Sequence, residues 1–270
     1  MPISDPETLK DFLYAHGLKP NKALGQNFFI DTEKLTSIVE ASQVDGLDVI
    51  EIGPGPGALT ELLLPRVSRL VAVEKDAPMS DLLTERLGMD ARLTVRTADI
   101  LHFDMAHAFD GAFSVCGNLP YYITTPIAER ILLACPVSAT IMVQREAADR
   151  FFARPGNRVY GPLAILSQLF YEPSRLLDIP RSCYYPQPDV DSAVVRLISR
   201  PSATRDSVAA MNAFLNQAFL MRRKTLFNNL GRTEKVAEAI RSIGADPAIR
   251  AEALAPEQLM TLYLKLHPSV

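Results

Sequence analysis

The chain has 270 residues, of which 48% are hydrophobic and 22% charged. That composition excludes disordered, collagen-like and coiled-coil chains, and the length fits one large domain or a large one with a smaller companion. The 28 Lys and Arg against 31 Asp and Glu leave a formal net charge of -3, which excludes a protein coated in positive charge but leaves room for local basic patches. Three scattered cysteines, Cys116, Cys135 and Cys183, form no CxxC pair, so neither a disulfide framework nor a cysteine zinc site is expected. The opening MPISDPETLKDFL lacks the basic start and apolar run of a secretory signal. No stretch reaches membrane-span length, so a cytoplasmic protein is expected.

In chain order, Glu7 to Tyr14 reads as a helix, followed by the loop KPNKALGQNFFID and a second helix from about Thr32. Short apolar runs then alternate with amphipathic ones, the rhythm of βα units feeding a parallel sheet. The strands expected are Asp48 to Ile52, Leu70 to Glu74, Leu93 to Arg96, Ala112 to Cys116 and Thr140 to Gln144. Helical runs follow over Glu146 to Ala153 and Pro162 to Tyr171, split by the turn RPGN. Two further strands, Ser174 to Ile179 and Ser192 to Ile198, flank SCYYPQPDVD, whose prolines exclude a regular element. After Arg200 the segment PSATRD breaks the pattern, and only helical periodicity remains, over Ala209 to Phe219, Thr233 to Ile243 and Pro256 to Leu266. The expected organisation is an α/β domain over 1–200 and a helical domain over 201–270.

The stretch DVIEIGPGPGALTELLL puts a strand before Gly53-Pro54-Gly55-Pro56-Gly57 and a helix after it. Glycines allow the tight turn and close backbone approach, and a helix start favours a carboxylate or phosphate. Gly53, Gly55 and Ala58 also satisfy the dinucleotide pattern, so this loop alone does not separate NAD from S-adenosylmethionine. Glu74 closes the second strand, roughly twenty residues on, where an acid accepts both ribose hydroxyls. Asp99, after the third strand, is placed to accept the exocyclic amine of an adenine. Both acids fall at carboxyl ends of neighbouring strands, where such sheets hold ligands.

The fourth strand runs into GNLPYYITTP. The amine of adenine is a poor nucleophile because its lone pair is delocalised into the ring. The Asn118 side-chain oxygen and the Leu119 carbonyl can accept its two protons, with Pro120 restricting Leu119 to an extended conformation. Tyr121 can stack on the base, worth roughly 1–3 kcal/mol. The four histidines, His16, His102, His107 and His267, are scattered outside any triad or ligand spacing, so no general base and no metal are expected.

Taken together, KALGQNFFID, EIGPGPGALT, VEKD, ADIL, GNLPYYITTP, YYPQPDVDSAVVRL and RRKTLFNNL closely resemble the KsgA/RsmA family of ribosomal RNA small-subunit adenine dimethyltransferases, over nearly the whole chain. The resemblance implies a class I, Rossmann-like methyltransferase sheet with a small C-terminal all-helical domain. It also implies transfer of two methyl groups from S-adenosylmethionine to each of two adjacent adenines in the last hairpin of small-subunit rRNA. Carried over by position, Asn27 and Phe29 contact the cofactor with Gln26 beside them, in an N-terminal segment, 1–32, that covers it. Gly53 meets its methionine end, Glu74 its ribose, Asp99 its adenine, and Asn118 the reacting centre. The family usually carries leucine where Phe29 stands. Tyr184 matches a family aromatic that covers the other face of the target base. The partner implied is rRNA within an immature 30S particle, met by a monomer without membrane or metal.

Two basic groups are candidates for phosphate contacts: Arg145, Arg150, Arg154 and Arg158, and the cluster Arg222, Arg223 and Lys224 inside a family motif. Two rival readings are an Erm-type large-subunit rRNA methyltransferase, which typically reads NIPY where this chain has Leu119, and a ribosome-assembly factor whose binding matters more than its catalysis. An NAD oxidoreductase is more distant, since no hydride-accepting site follows the loop.

Overall fold

Ile50, Val73 and Val115 are buried with buried neighbours on both sides along their strands, the near-continuous buried runs of parallel strands covered on both faces. In the computed structural model, which describes residues 2–21 and 24–268, the chain forms two compact units. Unit one runs to Ala148 and resumes over Ser174–Ile198; unit two holds Asp149–Pro173 and the chain from Ser199 onward.

Unit one contains, in order, α1 (Pro6–Ala15), β1 (Phe28–Phe29), α2 (Thr32–Ser42), β2 (Asp48–Ile52), α3 (Ala58–Leu63), β3 (Arg69–Glu74), α4 (Ala77–Leu87), β4 (Leu93–Thr97), β5 (Phe113–Asn118), α5 (Thr124–Ala134), β6 (Ser138–Gln144) and α6 (Arg145–Asp149), whose last residue belongs to unit two. The later strands are β7 (Tyr171–Ile179), which begins in unit two, β8 (Tyr184–Tyr185) and β9 (Ser192–Ser199). Seven strands make one sheet in the order β4-β3-β2-β5-β6-β9-β7. The β2, β3, β4, β5 and β6 pairings are parallel, and β9 runs antiparallel to β6. This is a Rossmann-like α/β architecture. Strand order reverses between β2 and β5, and the carboxyl ends of these two strands, at Gly53 and Asn118, open the crevice in which such sheets hold ligands.

A separate two-stranded sheet pairs β1 with β8, Phe28 opposite Tyr185 and Phe29 opposite Tyr184. Ile30 N–H donates to the Cys183 carbonyl at 2.8 Å, and Asp31 then caps α2 through the Lys34 N–H at 3.0 Å. The GQNFF loop is thereby fixed at both sides of its aromatic pair.

Unit two contains α7 (Pro162–Phe170), α8 (Arg205–Ala218), α9 (Leu226–Asn229), α10 (Glu234–Ser242) and α11 (Pro256–Leu266). The expected boundary at Arg200 is corrected in one respect: residues 149–173 belong with the helical unit. The reason is α7, which buries Leu163, Ala164, Ile165, Leu166 and Phe170 and packs against α8 and α11. A helix apolar nearly all round needs neighbours on more than one side. Arg200 N–H closes the arrangement on the Phe170 carbonyl at 2.8 Å. Among the described residues, no helix is long and apolar enough to cross a membrane.

Candidate active site

The crevice at the β2/β5 ends is lined by all but one of the residues singled out for cofactor and target, Asn27, Phe29, Gly53, Glu74, Asp99, Asn118, Leu119, Pro120 and Tyr121 among them. Gly53 and Gly55 have φ of +66° and +54°, a backbone that favours glycine. A Cβ on Gly55 would sit 2.9 Å from the Phe28 ring. The loop turns tightly because it has no side chains, and Phe28 of β1 packs directly on it. The following helix, α3, spans only six residues, so its dipole is a smaller contribution than the sequence suggests.

Glu74 is 7% exposed. One carboxylate oxygen accepts the Gly55 N–H at 3.0 Å and the other the Asp76 N–H at 2.9 Å. Burial raises its pKa, and these backbone donors oppose the rise. Glu74 therefore shapes the glycine loop as well as facing the crevice. Asp99 accepts Lys75 Nζ at 2.9 Å and the Leu101 N–H at 3.0 Å; the lysine holds its carboxyl below the usual range. An adenine amine reaching Asp99 shares the carboxylate with this ammonium.

The GQNFF loop is tied down from several directions. Gln26 Nε2 donates to Asp76 at 2.6 Å, and its Oε1 accepts the Asn21 N–H at 2.8 Å. Asn27 donates its side-chain amide to the Gly25 carbonyl at 3.0 Å, and its own carbonyl accepts Asn118 Nδ2 at 2.9 Å. Phe29 lies edge-on to Tyr184, ring centroids 5.0 Å apart, and its ring is packed into the apolar core of unit one.

Asn118 ends β5 with Nδ2 committed to Asn27 and Oδ1 buried without any partner. Leu119 N–H donates to the Met142 carbonyl at 3.0 Å, and Pro120 holds an extended φ of -61° and ψ of 128°. Tyr121 opens a 3-10 turn, and its hydroxyl meets Ser192 Oγ at 2.6 Å. Tyr184 departs from expectation. It is 2% exposed and does not line the crevice, so covering a base requires it to leave its contact with Phe29.

Three lining residues escaped sequence reasoning. Lys75 follows Glu74 and pairs with Asp99, which only the β3/β4 register brings together. Tyr122 is 55% exposed beside Gly25; the doubled tyrosine was its only signal. Glu51 is fully buried with both carboxylate oxygens unpartnered, and burial pushes its pKa up to about 8. An unpartnered carboxyl behind the glycine loop and an unpartnered amide oxygen at the β5 end fit a polar ligand that brings hydrogen-bonding groups to both.

The first arginine group is divided between the two units. Arg145 belongs to unit one, its N–H on the Asp191 carbonyl at 3.1 Å, while Arg150, Arg154 and Arg158 belong to unit two. Arg222 is paired with Glu252 at 3.0 Å, and Arg223 and Lys224 are exposed in the turn beyond α8.

Residues 17–267 match the family model of ribosomal RNA adenine dimethylase. Curated relatives named ribosomal RNA small subunit methyltransferase A, from Bacillus thuringiensis (strain Al Hakam) and Bacillus mycoides (strain KBAB4), are 38% identical over 279 aligned residues, covering 96% of both chains. Among solved structures, the 23S rRNA methyltransferase ErmE is 26% identical with a TM-score of 0.66, over 89% of this chain and 100% of that one. A dimethyladenosine transferase from Plasmodium falciparum, 23% identical, shares the fold with a TM-score of 0.74 over 89% and 98%. The chain belongs to the ribosomal RNA adenine dimethylase family.

Proposed function

We propose that the chain methylates N6 of two adjacent adenines in the 3′-terminal hairpin of small-subunit rRNA, giving N6,N6-dimethyladenosines, and acts during small-subunit biogenesis in the cytoplasm. The observation that carries the reading is Asn118: its amide nitrogen is pinned by Asn27, leaving a buried, unpartnered oxygen at the reacting end of the crevice. When bound, S-adenosylmethionine supplies a methyl group on a sulfonium that is already an activated leaving group.

The residues present do the rest by position. Glu74 holds the ribose end, Asp99 the adenine amine, and Gly53 lets the methionine end approach the backbone. Asn118 Oδ1 accepts a hydrogen bond from one N–H of the target amine and the Leu119 carbonyl from the other, which draws the nitrogen lone pair out of the ring, and the proton that the nitrogen loses on methylation passes to solvent. Tyr121, anchored by Ser192, presents a ring for the base to stack on, and Tyr184 covers the opposite face once it moves. Holding nitrogen in line with the methyl group supplies the larger part of the rate. The base leaves its stack to reach Asn118, which favours a loop or hairpin end. Arg145, Arg150, Arg154, Arg222, Arg223 and Lys224 contact phosphates, which positions the RNA without specifying sequence.

The test is methyl transfer to under-methylated small subunits, compared with naked RNA and mature large subunits, together with mass spectrometry of rRNA from a deletion strain. Dimethyladenosine missing from small-subunit rRNA is the expected result. Its loss from large-subunit rRNA instead would favour the Erm-type reading, to which ErmE is the relevant likeness.

A further inference from the structure

The GQNFF loop and the end of β3 are joined in a closed circuit of contacts. Gln26 Nε2 donates to Asp76 Oδ2 at 2.6 Å, and the Asp76 N–H donates to one Glu74 carboxylate oxygen at 2.9 Å. The other Glu74 oxygen accepts the Gly55 N–H at 3.0 Å. Phe28, two residues beyond Gln26, packs on Gly55 and completes the circuit.

Asp76 stands at the N-cap of α4, where an aspartate ordinarily accepts an N–H of the first helical turn. It makes no such bond; its carboxylate is given to Gln26 instead. Asp76 does not line the crevice, whereas Gln26 and Glu74 do, so it acts on a bound cofactor only through them. Gln26 is a clasp with two ends. Its Oε1 accepts the Asn21 N–H at 2.8 Å and its own N–H donates to the Asn21 carbonyl at 3.2 Å, which leaves the amide nitrogen facing Asp76. The bond to Asp76 is short, as bonds to a carboxylate are, yet it joins a neutral amide to an acid and opens without separating opposite charges. Asn27, the next residue, holds Asn118 Nδ2 on its carbonyl at 2.9 Å, so the position of this loop bears on the reacting amide as well as on the ribose end.

We propose that the Gln26–Asp76 bond is a latch that closes the GQNFF loop over the cofactor, and that its opening sets how fast S-adenosylhomocysteine leaves and S-adenosylmethionine enters. Asp76 is the fixed half, a positioning residue, and Gln26 the half that swings away. The use of the latch rests on the rRNA reading above: two methyl groups go to each of two adenines, so spent cofactor leaves and fresh cofactor enters between transfers.

The experiment measures association and dissociation of tritiated S-adenosylhomocysteine on the full chain by rapid mixing and chase, with calorimetry for the equilibrium affinity. In Asp76→Ala both rates are expected to rise about 10-fold, the factor that accompanies loss of a hydrogen bond to a charged group, while affinity changes by a few fold. Gln26→Glu keeps an oxygen for the Asn21 N–H but sets a second carboxylate against Asp76, so at neutral pH it is expected to match Asp76→Ala. Asp76→Asn retains an acceptor and stays near wild type, and Gln26→Glu adds nothing further in the Asp76→Ala background. Thermal unfolding reports whether Asp76→Ala is folded; if it is not, Gln26→Glu and Asp76→Asn carry the comparison.

Faster dissociation with no change in association would make Asp76 a prop for Glu74 and overturn the latch. Unchanged rates in Gln26→Glu, or Asp76→Asn behaving like Asp76→Ala, would overturn it as well. Failure of the wild type to methylate any rRNA would refute the enzymatic reading instead, a result separate from these exchange rates.

Discussion

Asn118 donates its side-chain amide to the main-chain carbonyl of Asn27 at 2.9 Å, joining residues 91 positions apart. The bond fixes which way the amide faces and leaves Oδ1 buried without a partner. Asn118→Ala is therefore expected to lower methyl transfer about 100-fold or more, the scale of losing one preorganised hydrogen-bonding group at a reacting centre, while S-adenosylhomocysteine affinity changes by a few fold. Asn118→Asp keeps the shape but sets a carboxylate against the Asn27 carbonyl, so it is expected to lose cofactor affinity as well. Calorimetry and transfer assays on both variants check this, and wild-type turnover by Asn118→Ala would end the assignment.

Gly117 of β5 sits directly against Ile52 of β2. A Cβ there would stand 2.6 Å from the Ile52 carbonyl oxygen and 3.0 Å from Ile52 Cβ, and the two residues are register partners. The obstacle is backbone, which cannot rotate away, so Gly117→Ala must push the strands apart beside Gly53 and Asn118. The expected cost is about 1–3 kcal/mol, read as a lower urea midpoint at unchanged slope, with weaker S-adenosylhomocysteine binding. A variant as stable and as tight as wild type would show that the crevice tolerates the shift.

The parts legible in the sequence are those that repeat. The expected β2 over Asp48 to Ile52 and the helix from Pro256 to Leu266 coincide with the structure, because a buried apolar run and a proline at the helix start are local signals. β1 and β8 are two residues each, too short for any period, yet they fix Phe29 against Tyr184. The grouping of 149–173 with unit two, the Lys75–Asp99 pair and the Asn27–Asn118 bond all depend on packing between distant segments. Tyr184 carried the right residue type for a base contact, but its burial follows from pairing with Phe29, which no spacing reveals.

Glu51 makes stability depend on pH. Burial is the main cause that lifts its pKa from 4.5 to about 8, with the nearby Thr60 hydroxyl opposing it, short of a completed hydrogen bond, and the charge of Glu74 adding to it. The folded state thus keeps a proton that the unfolded chain releases above about pH 4.5. This contribution to stability is full below about pH 4.5, declines as pH rises through the window to about 8 and levels off beyond it, with a limiting slope of about 1.4 kcal/mol per pH unit. Glu74, also raised by burial, acts in the same direction. Glu51→Gln is expected to flatten the decline, gaining on wild type at about pH 8 and drawing level near pH 5. Thermal unfolding across that range checks it, and parallel profiles for the two proteins would mean that Glu51 is ionised in the folded state.

Tyr121 and Tyr184 differ in what their hydroxyls do. The first meets Ser192 Oγ at 2.6 Å; the second is buried near both of those hydroxyls without completing a hydrogen bond of its own. Removing a satisfied hydroxyl leaves its partner unpaired, whereas removing an unsatisfied one relieves a desolvation cost. Tyr121→Phe is therefore expected to lose about 1 kcal/mol of stability and Tyr184→Phe to be neutral or stabilising. Tyr184→Ala, which deletes the ring packed 5.0 Å from Phe29, should cost about 3–5 kcal/mol. In transfer assays, Tyr121→Phe keeps a ring for the base and retains most activity, while Tyr121→Ala forfeits stacking worth roughly 1–3 kcal/mol, a reduction of about 5- to 150-fold. If Tyr184→Phe proved the more destabilised of the two phenylalanine variants, the buried hydroxyl of Tyr184 would have to be the anchored one.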